Sequence, residues 1–323
     1  MTLFSLEEVS RASDLIHPFV PPTPTYAWPL LEKRSGVKVF VKHENHTPVG
    51  AFKVRGGLVY LDALDRAGAL PKGLVTATRG NHGQSIAMAA QHFGIPAVIV
   101  VPQGNSLEKN AAMEGLGAEL ICAGRDFDES RAIAARIAEQ RAYHIVPPFH
   151  PALVLGVATY AHELFSDVAD LDVVYAPIGM GSGICGLITM RDLLGLKTEI
   201  VGVVAQNAPA FALSYEAGRP VGTPSAKTFA DGMACRDPQP EPLDIIRAGA
   251  ARIIQLTEEE ISEAIRIYYK DTHNIAEGAG GAALAGLMKE KSRLSGGRAG
   301  VILTGSNIDS KPFAEILSGV TPA

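Results

Sequence analysis

Short apolar runs rich in β-branched residues recur along the chain: VKVFV (37–41), GLVTAT (73–78), AVIVV (97–101), AELICA (118–123), DVVYAPI (172–178), TEIVGVVA (198–205) and AGVILTG (299–305). Continuous runs of this length, without polar alternation, predict strands covered on both faces, as in a parallel sheet. Between them lie stretches with helical spacing, at 83–94, 106–117, 126–141 and 257–274. Strands alternating with helices predict βαβ units and helix-covered parallel sheets, an α/β architecture.

Residues 72–148 form a compact run of such units, and IVPPFHP (145–151) predicts a crossing back into another layer. The expected organisation is therefore a small α/β domain, 72–148, inserted into a larger one built from 1–71 and 149–323. The polar, proline-rich QPEPLD (239–244) predicts a long surface loop. No internal repeat or low-complexity tract is visible.

Length fits this picture, since 323 residues exceed what one hydrophobic core ordinarily organises. Hydrophobic residues make up 47% and charged residues 20%, the profile of a globular chain and not of a disordered one. A net charge of −5 without a basic run removes the electrostatic reason for binding nucleic acid or an anionic membrane, leaving a small-molecule partner as the expectation. Cys122, Cys185 and Cys235 are widely separated and lack the paired spacing of zinc or redox sites, so reduced thiols and a cytoplasmic location are expected. The N-terminal MTLFSLEEVSRASDLIHPFV has acids where a signal peptide needs a basic start, and no run is long enough to span a bilayer.

Candidate chemistry sits at strand-to-helix junctions. In NHTPVGAFKVRGG (45–57) the one lysine, Lys53, opens a helix in apolar surroundings. Desolvation and the positive end of the helix both disfavour its ammonium form, which favours a neutral, nucleophilic amine. A helix lysine whose stem packs while its charge reaches water is the ordinary alternative. YAPIGMGSGICG (175–186) places glycines at 179, 181, 183 and 186 between a strand and a helix, where backbone N–H groups can cradle a phosphate. Gly181, Gly183 and Gly186 also match a dinucleotide fingerprint, but Gln206 stands where that motif wants an acid. TATRGNHGQS (76–85) is a second such junction, able to hold a carboxylate, and LTGSNID (303–309) offers the hydroxyl of Thr304 at the carboxyl end of the last strand.

Together and in this order, KHENHTPVGAFKVRGG, TRGNHGQS, PIGMGSGICG, FADGMA and LTGSNID resemble the motifs of the fold-type II pyridoxal-phosphate enzymes, in the branch of threonine/serine dehydratases and serine racemases. The resemblance spans nearly the whole chain. It implies the tryptophan synthase β-like fold, two open parallel-sheet domains with the active site between them, and pyridoxal 5'-phosphate as cofactor. Lys53 would hold the cofactor covalently and act as the catalytic base, and Phe52 would lie against its ring. Asn81 would donate to the ring's 3-oxygen, Gly179, Met180, Gly181, Ser182 and Gly183 would hold the phosphate, and Thr304 would face the ring nitrogen. Thr78, Arg79, Gly80, Asn81 and His82 would meet the substrate. The implied activity is β-elimination from a β-hydroxy-α-amino acid of the threonine/serine type, giving a 2-oxo acid and ammonia. A β-substituted serine such as phenylserine or 3-hydroxyaspartate, a β-replacement synthase and an amino-acid racemase are the alternatives, and a homodimer is the family habit. A nicotinamide-dependent oxidoreductase would account for the glycines while leaving Lys53, TRGNHG and LTGSNID without roles.

The chain departs from the resemblance in places that matter. Arg79 stands where the branch usually has a serine, the opposite-face base of the racemases, and arginine is a poor base at neutral pH. Gln206 and Ala212 occupy the positions of a glutamate and an aspartate that bind a divalent cation in some members, so no metal is expected there. Met180 and Ser182 replace usual glycines of the phosphate loop. The chain ends soon after LTGSNIDSKPFAEIL, which leads one to expect no C-terminal regulatory domain and a degradative role.

Overall fold

The computed structural model describes residues 3–322. The described strands are β1 (Thr25–Ala27), β2 (Lys38–His43), β3 (Leu74–Ala77), β4 (Ala97–Val101), β5 (Glu119–Cys122), β6 (His144–Ile145), β7 (Val173–Pro177), β8 (Glu199–Ala205), β9 (Arg252–Leu256) and β10 (Arg298–Leu303). The helices are α1 (Leu6–Ile16), α2 (Pro29–Ser35), α3 (Lys53–Arg66), α4 (Asn81–His92), α5 (Leu107–Gly115), α6 (Phe127–Arg141) and α7 (Pro151–Asp167), followed by α8 (Ser182–Leu193), α9 (Ala210–Ala217), α10 (Pro240–Gly249), α11 (Glu258–Thr272), α12 (Gly278–Glu290) and α13 (Ser310–Leu317).

Two sheets result. The larger has the order β1-β2-β10-β7-β8-β9, and the smaller β5-β4-β3-β6. Every pairing is parallel except β1 with β2, where the edge strand runs antiparallel. Each apolar run of the sequence becomes a strand buried on both sides. Val173, Val174 and Tyr175 of β7 and Ile99, Val100 and Val101 of β4 are inaccessible or nearly so, because helices cover both faces. One side of the large sheet packs on α7, α8 and α10 and the other on α11, α12 and α2. The small sheet has a core toward α4 that also takes in Ile16 of α1 and Leu58 and Leu61 of α3, and a thinner one toward α6.

The segment 239–244 corrects the expectation of a loop. Gln239 precedes α10, whose first residue is Pro240. Proline is pre-organised for that first position, and Leu243 and Ile246 bury one face of the helix.

Helix α3 is held by close backbone approach. A Cβ on Gly56 would lie 2.8 Å from the Leu153 carbonyl oxygen, and one on Gly156 would lie 2.2 Å from that of Arg55. Only glycine permits α3 and α7 to touch main chain to main chain there. On the other side, Ser85 Oγ of α4 donates to the Lys53 carbonyl at 2.6 Å. The helix that begins with Lys53 is thus wedged between one helix from each sheet.

Candidate active site

Four chain segments leave the carboxyl ends of parallel strands and meet in one cleft between the sheets: 44–53 after β2, 78–82 after β3, 178–183 after β7 and 304–307 after β10. Open α/β sheets place ligand sites at that end. Phe52, Lys53, Thr78, Arg79, Gly80, Asn81, His82, Gly179, Met180, Gly181, Ser182, Gly183 and Thr304 all line this cleft, so the residues expected to meet cofactor and substrate are brought to one place.

The helices that start here, α3, α4 and α8, begin at Phe52, Gly80 and Gly181 with no side chain capping them. By contrast α1, α6 and α11 are capped by Ser5, Asp126 and Thr257. Uncapped N-termini leave N–H donors and a positive dipole end facing the cleft. At α8 the chain enters through Gly181, whose φ of 97° is in the left-handed region that glycine supplies. Gly179 is pressed against the neighbouring Gly232 carbonyl oxygen, which a Cβ would approach to 2.2 Å.

Lys53 Nζ donates to Ser182 Oγ at 3.2 Å and lies 5.1 Å from the centre of the Phe52 ring. Burial lowers its pKa to about 8, against the opposing pull of the Glu277 carboxylate. The Phe52 N–H donates to the Thr304 carbonyl at 3.1 Å, fixing the lysine loop to the end of β10. Thr304 itself is 4% exposed, and its Oγ1 has no partner among the described residues. On the facing wall, Thr78 Oγ1 accepts from the N–H groups of Gly80 at 3.0 Å and Gly83 at 3.3 Å, which shapes the turn into α4. His82 is kept neutral, its pKa lowered to about 3 by burial and by the nearby Lys53 charge, and its Nε2 is unpartnered.

A polar cluster completes the cleft. Asn81 Nδ2 donates to Glu277 Oε1 at 2.5 Å, and Asn307 Nδ2 donates to Asn81 Oδ1 at 2.8 Å. Lys109 Nζ lies 2.7 Å from Asp231 and 3.2 Å from Glu277. Burial pushes the Glu277 carboxyl up while Lys109 pulls it down, and the two acids raise Lys109. Sequence reasoning gave Lys109, Asp231, Glu277 and Asn307 no role. Lys109 sits in a stretch that looks like a plain amphipathic helix, whereas Glu277 did leave a signal, an acid alone in the small-residue run NIAEGAGG. Arg79 differs from all of these, being exposed and without a hydrogen bond or ion pair among the described residues. Gln206 is exposed beyond β8 and Ala212 is buried in α9, and among the described residues no group of three or more His, Cys, Asp or Glu is placed to hold a metal.

The sequence profile of the family described as pyridoxal-phosphate dependent enzyme matches residues 16–305. The chain belongs to this family. It is a pyridoxal-phosphate dependent enzyme of fold type II, and its cofactor is pyridoxal 5'-phosphate. The chain is 31% identical over 320 residues to an L-threonine ammonia-lyase of Thermotoga maritima, covering 98% of this chain and 79% of that one. It is 30% identical to the L-threo-3-hydroxyaspartate ammonia-lyase of Saccharomyces cerevisiae, covering 97% and 96%. Among solved structures it is similar to the processed form of threonine deaminase isoform 2 from Solanum lycopersicum, with a TM-score of 0.88, 27% identity and coverage of 98% and 94%.

The cleft of this pyridoxal-phosphate dependent enzyme suits that cofactor on its own chemistry. It holds an amine of lowered pKa, an uncapped helix N-terminus entered through glycines, an amide donor at Asn81 and an orphaned buried hydroxyl at Thr304. Those are partners for an aldehyde, a phosphate, a phenolic oxygen and a ring nitrogen.

Proposed function

We propose that this enzyme is an ammonia-lyase that eliminates the β-hydroxyl of an α-amino acid of the threonine/serine type, releasing a 2-oxo acid and ammonia. The observation that carries the reading is the single reactive amine, Lys53 Nζ, with its pKa lowered to about 8 inside a cleft that has an uncapped helix N-terminus on either side of it.

The cofactor, when bound, supplies an electron sink conjugated to the substrate's α-carbon. Lys53 is the residue that would hold it covalently, and Ser182, Gly183 and their neighbours at the start of α8 would hold its phosphate. Asn81 and Thr304 would hold its ring, with Phe52 against it. The Lys53 amine, its pKa lowered to about 8 by burial, is the group placed to take the substrate's α-proton. The N–H groups of Asn81 and His82, with the Thr78 turn, orient the substrate carboxylate. Arg79 stands where a serine would serve as the second base on the opposite face, so racemisation is disfavoured.

With this reading go the cofactor-binding domain 1–71 and 149–323, the small domain 72–148 on which α1 and α3 also pack, a cytoplasmic location and a homodimer. No helix among the described residues is long and apolar enough to cross a membrane.

The test is to incubate purified holoenzyme with threonine, serine, phenylserine and threo-3-hydroxyaspartate and to follow 2-oxo acid and ammonia, with Lys53→Ala alongside. Equimolar oxo acid and ammonia from at least one substrate, absent in Lys53→Ala, is expected. Exchange of the α-proton without oxo acid would favour a racemase, and capture of an added thiol a β-replacement synthase.

A further inference from the structure

The charged residues lining the cleft are Lys53, Arg79, Lys109, Asp231 and Glu277. Four of them are committed. Lys109 is clasped by Asp231 and Glu277, and Lys53 is taken up by the cofactor on the reading above. Arg79 alone has no partner among the described residues. Its position is mildly unfavourable, because it immediately precedes Gly80, the uncapped start of α4, where the helix dipole disfavours a cation. An arginine in such a place is stabilised when an anion sits between it and the helix end.

The substrate's α-carboxylate does not need Arg79. Asn81 and His82 open α4 with backbone N–H groups that have no partner among the described residues, and these suffice for one carboxylate. A second anion is what the guanidinium fork is free to take, and a carboxylate matches it with two parallel hydrogen bonds. Phe127, Pro148 and Ala234, which also line the cleft, offer an anionic side chain nothing.

We propose that Arg79 is a specificity-determining residue that binds a second carboxylate on the substrate's β-carbon, making the preferred substrate a dicarboxylic β-hydroxy-α-amino acid. This rests on the β-elimination reading of the same site. In the reaction the Cα–H proton leaves to Lys53 Nζ, the Cβ–O bond breaks with loss of water, and the resulting enamine tautomerises and takes up water at its C=N bond. For 3-hydroxyaspartate the net products are one oxaloacetate and one ammonia, and no oxidant or reductant is needed.

The test compares kcat/KM for threo-3-hydroxyaspartate, threonine and O-phosphoserine in the wild-type holoenzyme, Arg79→Gln and Arg79→Lys, with circular dichroism and the visible cofactor band as checks of folding and loading. Binding of unreactive L-aspartate and L-alanine is measured by calorimetry in the same proteins. The wild type is expected to prefer hydroxyaspartate over threonine. In Arg79→Gln that ratio should fall by about 30-fold, the size of a lost charge-assisted pair, chiefly through KM, with partial retention in Arg79→Lys. L-aspartate should lose its advantage over L-alanine in parallel. An equal loss for all substrates would place Arg79 on the α-carboxylate and overturn the proposal, as would a wild type without the dicarboxylate preference. An Arg79-dependent preference for O-phosphoserine would overturn the second carboxylate as its ligand. If no substrate yields a 2-oxo acid, the β-elimination reading fails, and the L-aspartate/L-alanine comparison still decides whether Arg79 holds a second carboxylate.

Discussion

Lys109 on α5, which packs with the small sheet, reaches across the cleft to within 2.7 Å of Asp231 on the large-sheet side. It also meets Glu277 at 3.2 Å, and its stem fills the space that a Cβ on Gly80 would need, since that atom would lie 2.4 Å from Lys109 Cδ. One side chain therefore ties the two halves of the cleft, neutralises the acid that orients Asn81 and supports the turn into α4. Replacing it by methionine leaves two neighbouring carboxylates buried or half-buried without their cation. Lys109→Met should lose about 3 kcal/mol of stability, at the lower end for a broken buried pair, and should bind cofactor more weakly, with Lys109→Arg recovering part of both. Urea unfolding of the apo-protein and titration of the visible cofactor band measure the two effects, and an unchanged midpoint would show the pair to be dispensable.

The amide of Asn81 is held from both ends, by Glu277 accepting at Nδ2 and by Asn307 donating to Oδ1. Asn307 gives its amide hydrogens to Asn81 and to the Val49 carbonyl, the latter at 2.8 Å. Asn307→Ala removes the contact that fixes which way Asn81 points. We expect cofactor affinity to fall about tenfold, the effect of one lost hydrogen bond, with a shift in the visible band, while the far-ultraviolet dichroism stays unchanged.

Two residues beyond Lys53, Arg55 is wholly buried among carboxylates. It donates to Glu44 at 2.8 Å and to Glu163 at 2.6 Å, and Lys42 shares Glu163 at 2.7 Å. Two cations and two anions balance inside the protein. Arg55→Leu leaves Glu44 without its cation and Glu163 with Lys42, and should destabilise the fold by about 3–5 kcal/mol in urea titrations. A cost below about 1 kcal/mol would mean that solvent reaches the cluster.

The depressed pKa of Lys53 has a definite pH consequence. At pH 7 about a tenth of the amines are neutral, against about one in three thousand for an ordinary lysine. In the apo-protein, the rate at which the visible cofactor band appears should rise with pH up to about 8 and then level. A tenfold rise per unit continuing beyond pH 9 would place the amine at its ordinary value. Between about 8 and the unperturbed 10.5 the unfolded chain binds this proton and the native apo-protein does not. Stability from this group therefore rises with pH across that window, and the difference between wild type and Lys53→Met should follow it.

The central strands were legible because burial on both faces writes an unbroken apolar run, as in AVIVV at β4 and DVVYAPI at β7. Strands β1 and β6 were not, being three and two residues long, too short for any period. Strand β9, RIIQL, carries two polar residues, Arg252 and Gln255, and lies at the sheet edge, where only one neighbour enforces its pattern. Helix α10 was hidden by the prolines of QPEPLD, which signal a turn unless one recognises the first as a helix start. The residues of the cleft that follow strand ends were visible through their glycines. Lys109, Asn307 and the partners of Arg55 were not, because what unites them with the site is contact across 100 residues or more, or a loop folded back on itself, and no local spacing records it.

The most direct test is to reduce the holoenzyme with borohydride, digest it and locate the cofactor by mass spectrometry, with the Lys53→Ala protein treated in parallel. The cofactor's mass on the peptide containing Lys53, and on no peptide of the variant, is the predicted result. Recovery on another lysine, or an unaltered pattern in Lys53→Ala, would contradict the assignment of Lys53 as the amine around which this cleft is built.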